Sequence, residues 1–360
     1  MDKLIPFSLT DLSKLTYYRS GEVKFGEKML TLPPDCDPAE FLENCECCYV
    51  LLGIPEDVGV RANYGRPGAA SAWESAISSI ANIQHNRFCK GSSILVLGQV
   101  DVAAQMEQVR ELEFKNLQDR RKFGELVELI DKEVAHIVSL IVRAGKIPII
   151  IGGGHNNAYG NIKGAALAKA RPVNAVNLDA HSDFRIMEGR HSGNGFSYAY
   201  EEGFLKKYFI FGLHESYTSQ SVLKTLKKID DRVRFNTYDD IGVRQIKQFD
   251  KELAHAYEFV KSDPYGIEVD LDAIPGVASS AMTLSGFSVE QARRFVTHFG
   301  AGNQAAYLHI CEGAPDLAEP SSAHLVGKLI GYLVTDFVKA HTAANHPPSP
   351  KSDLKKDSAK

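Results

Sequence analysis

Three short segments of the chain carry the residue types and spacings of a metal site: Gly152-Gly153-Gly154-His155, Asp179-Ala180-His181-Ser182-Asp183 and Asp270-Leu271-Asp272. They offer the carboxylates of Asp179, Asp183, Asp270 and Asp272 and the imidazoles of His155 and His181. In extended chain alternate residues share a side, so Asp179, His181 and Asp183 would aim at one point, as would Asp270 and Asp272. Glycines before His155 allow a sharp turn and a close backbone approach. Crowded carboxylates in a low-dielectric cleft repel one another strongly and need counter-charge. Two divalent ions would balance these four. Such a pair, about 3.5–4 Å apart, can share a water, lower its pKa and clamp a transition state. Oxygen-rich ligation with some imidazole suits two Mn²⁺, with other divalent transition metals open.

The elements that must position these groups are legible as apolar runs. Short β-rich runs predict strands over 48–54, 93–98, 147–151, 175–178, 208–213, 267–271 and 305–310, with 233–236 a further candidate. Apolar residues at helical spacing predict helices over 67–83, 123–144, 157–169, 246–259, 289–299 and 323–342. Strands alternating with helices imply parallel pairing, hence an α/β fold with a three-layer α/β/α arrangement around a mainly parallel β-sheet. In such sheets ligands bind at the C-terminal ends of the strands. Each of the three segments lies at the end of a predicted strand. Residues 1–48 read as an N-terminal extension with a little helix, 49–342 as the catalytic domain, and 343–360, rich in Pro, Lys and Ser, as a disordered tail.

A formal net charge of −4 with no basic block argues against a nucleic-acid partner. No apolar run approaches the roughly 18–20 residues that span a bilayer, which argues against a membrane partner. The first fifteen residues lack the features of a signal peptide, so a cytoplasmic location is expected. Cys45, Cys47 and Cys48 crowd together, but no second CxxC or His pair follows, so they read as reduced structural cysteines rather than a zinc site. The glycine run lacks GxGxxG or GxxxxGK, which argues against nucleotide binding.

The chain resembles the arginase–agmatinase–formimidoylglutamase family, the ureohydrolases, through GGGH (152–155), NLDAHSDFR (177–185) and EVDLDAIPG (268–276), in the order of the family's GGDH, DAHxD and DxDxxDP. The resemblance implies a hydrolase of C–N bonds in linear amidines acting on a small molecule, and a homo-oligomer. It implies a binuclear manganese centre held by His155, Asp179, His181, Asp183, Asp270 and Asp272, with Asp179 and Asp270 bridging. It gives Glu312, in YLHICEGAPDL, the task of pairing with the amidinium or guanidinium cation, which a carboxylate can do through two parallel hydrogen bonds. Asp183 would hydrogen-bond the attacking water.

Departures from the family pattern bear on the substrate. Gly154 stands where the family has Asp, which looks more like the formimidoylglutamase branch, and Ala273-Ile274-Pro275 replaces a further Asp-Pro. The loop 184–197 carries Asn194 as a candidate substrate contact and His191 as a candidate proton shuttle. Arg185 and Arg190 could grip a substrate carboxylate, which favours N-formimino-L-glutamate over agmatine. Arg61, Asn63 and Arg66 follow the first long strand and are candidates for the mouth of the site. An arginine-type guanidino acid is the alternative substrate, and a catalytically silent binding protein on the same fold is the alternative class.

Overall fold

The computed structural model describes residues 3–113 and 116–345. Ten strands form one sheet: β1 (Leu4–Pro6), β2 (Leu30–Thr31), β3 (Tyr49–Gly53), β4 (Ile94–Val100), β5 (Ile147–Ile151), β6 (Val173–Leu178), β7 (Leu205–Leu213), β8 (Val233–Thr237), β9 (Tyr265–Asp270) and β10 (Ala305–Cys311). Their order across the sheet is β1-β4-β3-β5-β10-β9-β6-β7-β8, with β2 also on β4. Every pairing is parallel except β1 with β4.

The central strands are buried on both faces and mostly apolar, as a sheet covered on both sides requires. In β5, Ile149 and Ile151 join one core while Ile150 joins the other. One layer holds the helices Leu117–Arg143, Asn157–Lys169 and Gly195–Glu201; the other holds Ala72–Ala81, Phe249–Val260, Val289–Gly300 and His324–Asn345. Each fully buried Leu, Ile or Phe contributes roughly 1.5–3 kcal/mol of transfer free energy, so these interleaved faces hold the scaffold. The helix over 117–143 buries Phe123, Leu126, Ile130, Val134, Ile137 and Ile141 toward the sheet, whereas Leu129, read with that face, is 45% exposed. Trp73, the chain's one tryptophan, packs its ring over β3, where a Cβ on Gly53 would fall 2.3 Å from the indole. Phe7 meets the same ring edge-on, with centroids 6.3 Å apart.

Two features depart from the sequence reading. Residues 1–48 are not only a helical extension: β1 pairs with Gly98–Val100 and β2 with Leu95–Val96, covering the outer edge of β4. Strands this short are below the length at which alternation is legible. At the other end the last helix runs on to Asn345, past the predicted boundary at 342; the remainder of the expected tail lies outside the described residues. No described helix is long and apolar enough to cross a membrane.

The topology places the chemistry. The chain leaves β5 through the helix Asn157–Lys169 and enters β6, skipping two positions that β10 and β9 later fill. The four central neighbours β5, β10, β9 and β6 therefore point their C-terminal ends at one spot.

Candidate binuclear metal centre

Those four strand ends deliver His155, Glu312, Asp270 and Asp179. His155 Nδ1 lies 2.8 Å from Asp183 Oδ2, 3.2 Å from Asp270 Oδ2 and 3.3 Å from Asp179 Oδ2. His181 Nδ1 lies 3.2 Å from Asp272 Oδ2 and 3.5 Å from Asp179 Oδ1. The six residues thus form two groups of ligand atoms, His155/Asp179/Asp183/Asp270 and Asp179/His181/Asp272, each within 4.8 Å. Asp179 belongs to both, one oxygen facing each imidazole. Asp270 belongs to the first alone, its other oxygen accepting the Asp272 N–H at 2.8 Å.

The convergence is not achieved by extended alternation. Past Leu178 the chain bends, the Asp179 carboxylate accepts the His181 N–H at 2.6 Å, and Asp183 takes a left-handed φ of 45°. Past Asp270 it enters the tight turn Leu271–Ala273. Both aspartates cap their own turns, a common local use of Asp. Glu312 is also left-handed, φ 61°. Its N–H donates to Gly153 at 3.0 Å and its Oε1 accepts the His155 N–H at 2.8 Å. Such strain in non-glycine residues persists only where the surroundings impose it, and it clusters at functional sites.

The glycine turn has its own clamp, which sequence reasoning missed. Glu56, fully buried beyond the end of β3, accepts from Gly154 N–H (3.1 Å), Val58 N–H (2.7 Å), Asn156 Nδ2 (3.1 Å) and Asn157 Nδ2 (2.5 Å). The turn needs φ of +91° at Gly152 and +76° at Gly153. At Gly154 a Cβ would sit 2.6 Å from Asn156 Oδ1, 2.7 Å from Val60 and 3.3 Å from Glu312 Oε1. An aspartate there would be crowded, and its charge would face Glu312; the departure from the family pattern therefore has a steric and electrostatic basis.

The electrostatics call for cations. Burial pulls the His155 imidazole down, but Cys311 and the facing carboxylates of Asp179, Asp183 and Asp270 hold it well above its usual range. His181 is likewise raised against its burial, by Asp272 and Asp179. Burial and then neighbouring carboxylates push Asp270 well up, and Asp183 rises for the same reasons. Burial raises Glu312 to about 8. Asp179 is held down against its burial by the two imidazoles. Both nitrogens of His155 and Oδ1 of Asp272 are buried with no hydrogen-bond partner, as ligand atoms awaiting an ion would be. Four carboxylates and two imidazoles in two groups sharing one aspartate fit two divalent ions.

The centre opens into a cleft of about 910 Å³ lined by His181, Asp183, Asp270, Asp272 and Glu312 at its floor and by Asn63, Arg185, Glu188 and Tyr217 above. Tyr217 stacks on His181 with centroids 5.8 Å apart. Arg185 reaches the cleft as expected, with Nη1 donating to Asn63 Oδ1 at 2.6 Å and Nη2 to Glu188 Oε1 at 2.9 Å.

Other sequence candidates fall elsewhere. Arg190 is 2% exposed; it pairs with Asp131 at 2.8 Å between the rings of Tyr159 and Tyr198, so it is a buried structural ion rather than a grip on substrate. Asn194 is fully buried and not a cleft contact: its Oδ1 accepts from Arg190 at 2.7 Å and its Nδ2 donates to Gly189 at 2.8 Å. His191 does not suit proton transfer. Its Nδ1 accepts the Gly193 N–H at 3.1 Å, and burial, with Arg185 and Arg190 nearby, depresses its pKa to about 3. These three fasten the loop that carries Arg185. Arg61 pairs with Asp57 at 2.6 Å, and Arg66 donates to the backbone oxygens of Ser279 and Ser280, bracing the wall. The cysteines are free thiols, with Cys45 Sγ 2.9 Å from Cys47 Sγ.

A parallel sheet between helices, with a two-cluster acid–imidazole centre at its carboxyl edge, defines the molecule as an arginase-fold metallohydrolase. A family model described as the Arginase family matches residues 48–335, and the chain belongs to that family. It is a hydrolase acting on C–N bonds in linear amidines. The chain is 24% identical over 286 residues to the formimidoylglutamase of Macrococcus caseolyticus, covering 79% of this chain and 83% of that one. It is 25% identical to the formimidoylglutamase of Streptococcus pyogenes, covering 89% and 96%. Among solved structures, Bacillus subtilis formimidoylglutamase aligns with a TM-score of 0.69 at 17% identity over 92% of this chain and 95% of that one. Trypanosoma cruzi formiminoglutamase with Mn²⁺ aligns with a TM-score of 0.66 at 18% identity over 88% and 98%. These structural likenesses show a shared fold.

Proposed function

We propose that the chain hydrolyses N-formimino-L-glutamate to L-glutamate and formamide, with two Mn²⁺ in the centre. The observation that carries the reading is the pair of ligand groups sharing Asp179 on the floor of a cleft that also presents Glu312 and Arg185. The names of the curated relatives support the substrate, and the Trypanosoma cruzi structure supports the metal. His155 and Asp183 would hold one ion, His181 and Asp272 the other, with Asp179 between them and Asp270 beside the first. Divalent ions there supply Lewis-acid activation of water and neutralise charge developing in the transition state.

The chain's own groups do the rest. Glu312, fastened by the His155 N–H, faces the formimino cation; that cation beside it favours the ionised carboxylate, which burial alone opposes. Asp183, among the ligands and lining the cleft, accepts a hydrogen bond from the attacking water. Arg185 meets a substrate carboxylate by exchanging its bond to Glu188. A homo-oligomer in the cytoplasm is part of the same reading, and sedimentation of the purified chain tests its assembly.

One observation favours a second reading. Arg185 is the only Arg or Lys among the described residues lining the cleft. One cation matches one carboxylate, as in a guanidino acid releasing urea, better than two. Mn²⁺-loaded protein offered formiminoglutamate, arginine, agmatine and guanidinobutyrate decides between them: formamide from the first supports the proposal, and urea from any of the others with no formamide overturns it.

A further inference from the structure

Below the ligand row lies a second row of polar groups that the metal centre does not use. In β9, Glu268 and Asp270 share a face, and in β10 so do Tyr307, His309 and Cys311. The parallel register sets His309 beside Glu268 and Cys311 beside Asp270. Glu268 is fully buried and belongs to neither ligand group. Its Oε1 accepts from the Tyr307 hydroxyl at 2.7 Å, and its Oε2 meets His309 Nδ1 at 2.5 Å. Gly266 makes room for this: a Cβ there would fall 2.2 Å from the Tyr307 hydroxyl oxygen. A buried carboxylate is costly, and the fold retains this one with two dedicated donors and a glycine cleared for one of them.

The remaining neighbour of Glu268 is the ligand imidazole. His155 Nδ1 faces Asp179, Asp183 and Asp270, while Nε2 points the other way, 3.6 Å from Glu268 Oε2. That nitrogen is buried with no hydrogen-bond partner, and Glu268 Oε2 is a carboxylate oxygen set beside it. A neutral imidazole that gives Nδ1 to an ion must carry its proton on Nε2 and needs an acceptor there.

We propose that Glu268, held by Tyr307 and His309, is a positioning residue that fixes the His155 tautomer and ring so that Nδ1 ligates. The inference rests on the binuclear reading above. With Nδ1 given to an ion, the Nε2 proton would face Glu268 Oε2, which lies 3.6 Å away. Tyr307 and His309 hold the carboxylate in place.

The test compares the full-length protein with Glu268→Gln and Tyr307→Phe, each stripped of metal and titrated with Mn²⁺ and, separately, Co²⁺. Stoichiometry, affinity, the Co²⁺ absorption spectrum and the melting temperature of the stripped protein are read. Expected in Glu268→Gln are a roughly 10- to 100-fold loss of affinity at one of two sites, an altered Co²⁺ spectrum, and an unchanged melting temperature without metal. Tyr307→Phe should show a smaller loss of the same kind. Two sites of wild-type affinity and spectrum in Glu268→Gln overturn the inference while leaving the binuclear reading intact. A lower melting temperature of the stripped variant with normal Co²⁺ spectrum and affinity also overturns it, since that is a packing role. Wild-type protein that binds no metal overturns the binuclear reading itself.

Discussion

Asp179 is the residue on which the centre turns, since it alone belongs to both ligand groups. Asp179→Ala should abolish two-ion binding and turnover together, read by elemental analysis and by product release; retention of either at wild-type level would contradict the assignment. His191 makes a different prediction. Its pKa is about 3 in the fold against an ordinary 6.5, so the fold holds it neutral. Its contribution is fully present above about pH 6.5 and drains away as pH falls toward about 3, because only the unfolded chain takes up the proton. His191→Asn should flatten this acid loss: the melting temperature should fall less between about pH 8 and about pH 5 than in the wild type. An identical slope would refute it. The convergence of the six candidate ligands was legible because carboxylate and imidazole types recur after apolar runs. Glu56 and Glu268 were not, because a carboxylate paired with backbone or distant donors leaves no local pattern. Arg190 was misread since long cationic chains are usually solvated, and its partner Asp131 lies fifty-nine residues away.

At the scale of elements, the turn Gly152–His155 is where backbone and chemistry meet. Gly153 has φ +76°, and a Cβ would lie 2.3 Å from Asn157 Nδ2 and 2.9 Å from Glu56 Oε1. Gly153→Ala should cost about 1–3 kcal/mol from the backbone conformation alone and displace the clamp that sets His155. Denaturant unfolding and metal stoichiometry check this; a variant as stable as wild type with both ions bound would show that the turn has slack. Most strands and helices of 147–311 were legible as apolar runs or as apolar residues at helical spacing, but the short helices Gly195–Glu201 and Gln220–Lys228 were not. The strands Leu4–Pro6 and Leu30–Thr31 were not, since two or three residues carry no period. Nor were the turns after Leu178 and Asp270, where an alternating pattern suggested extended chain and side-chain capping bends it instead.

For the whole molecule, metal ions held at this centre would act as a fastening between strands. Their ligands come from the ends of β5, β6 and β9, three of the four central strands. An ion that binds only the folded chain adds roughly 3 kcal/mol at a hundredfold excess over its dissociation constant. Chelation should therefore lower the melting temperature by several degrees, and Asp179→Ala should not respond to chelator. An equal response of the two proteins would mean that the ions stabilise some other place. Trp73 offers an optical window on the same region. Its indole touches Phe7 beside the first strand and covers Gly53, and its backbone nitrogen lies 3.5 Å from where a Cβ on Gly152 would be. With no second tryptophan to blur the signal, its emission is an intrinsic gauge of whether the amino-terminal segment and the glycine turn are seated. Removal of the first eight residues should shift that emission to the red even where the sheet itself survives.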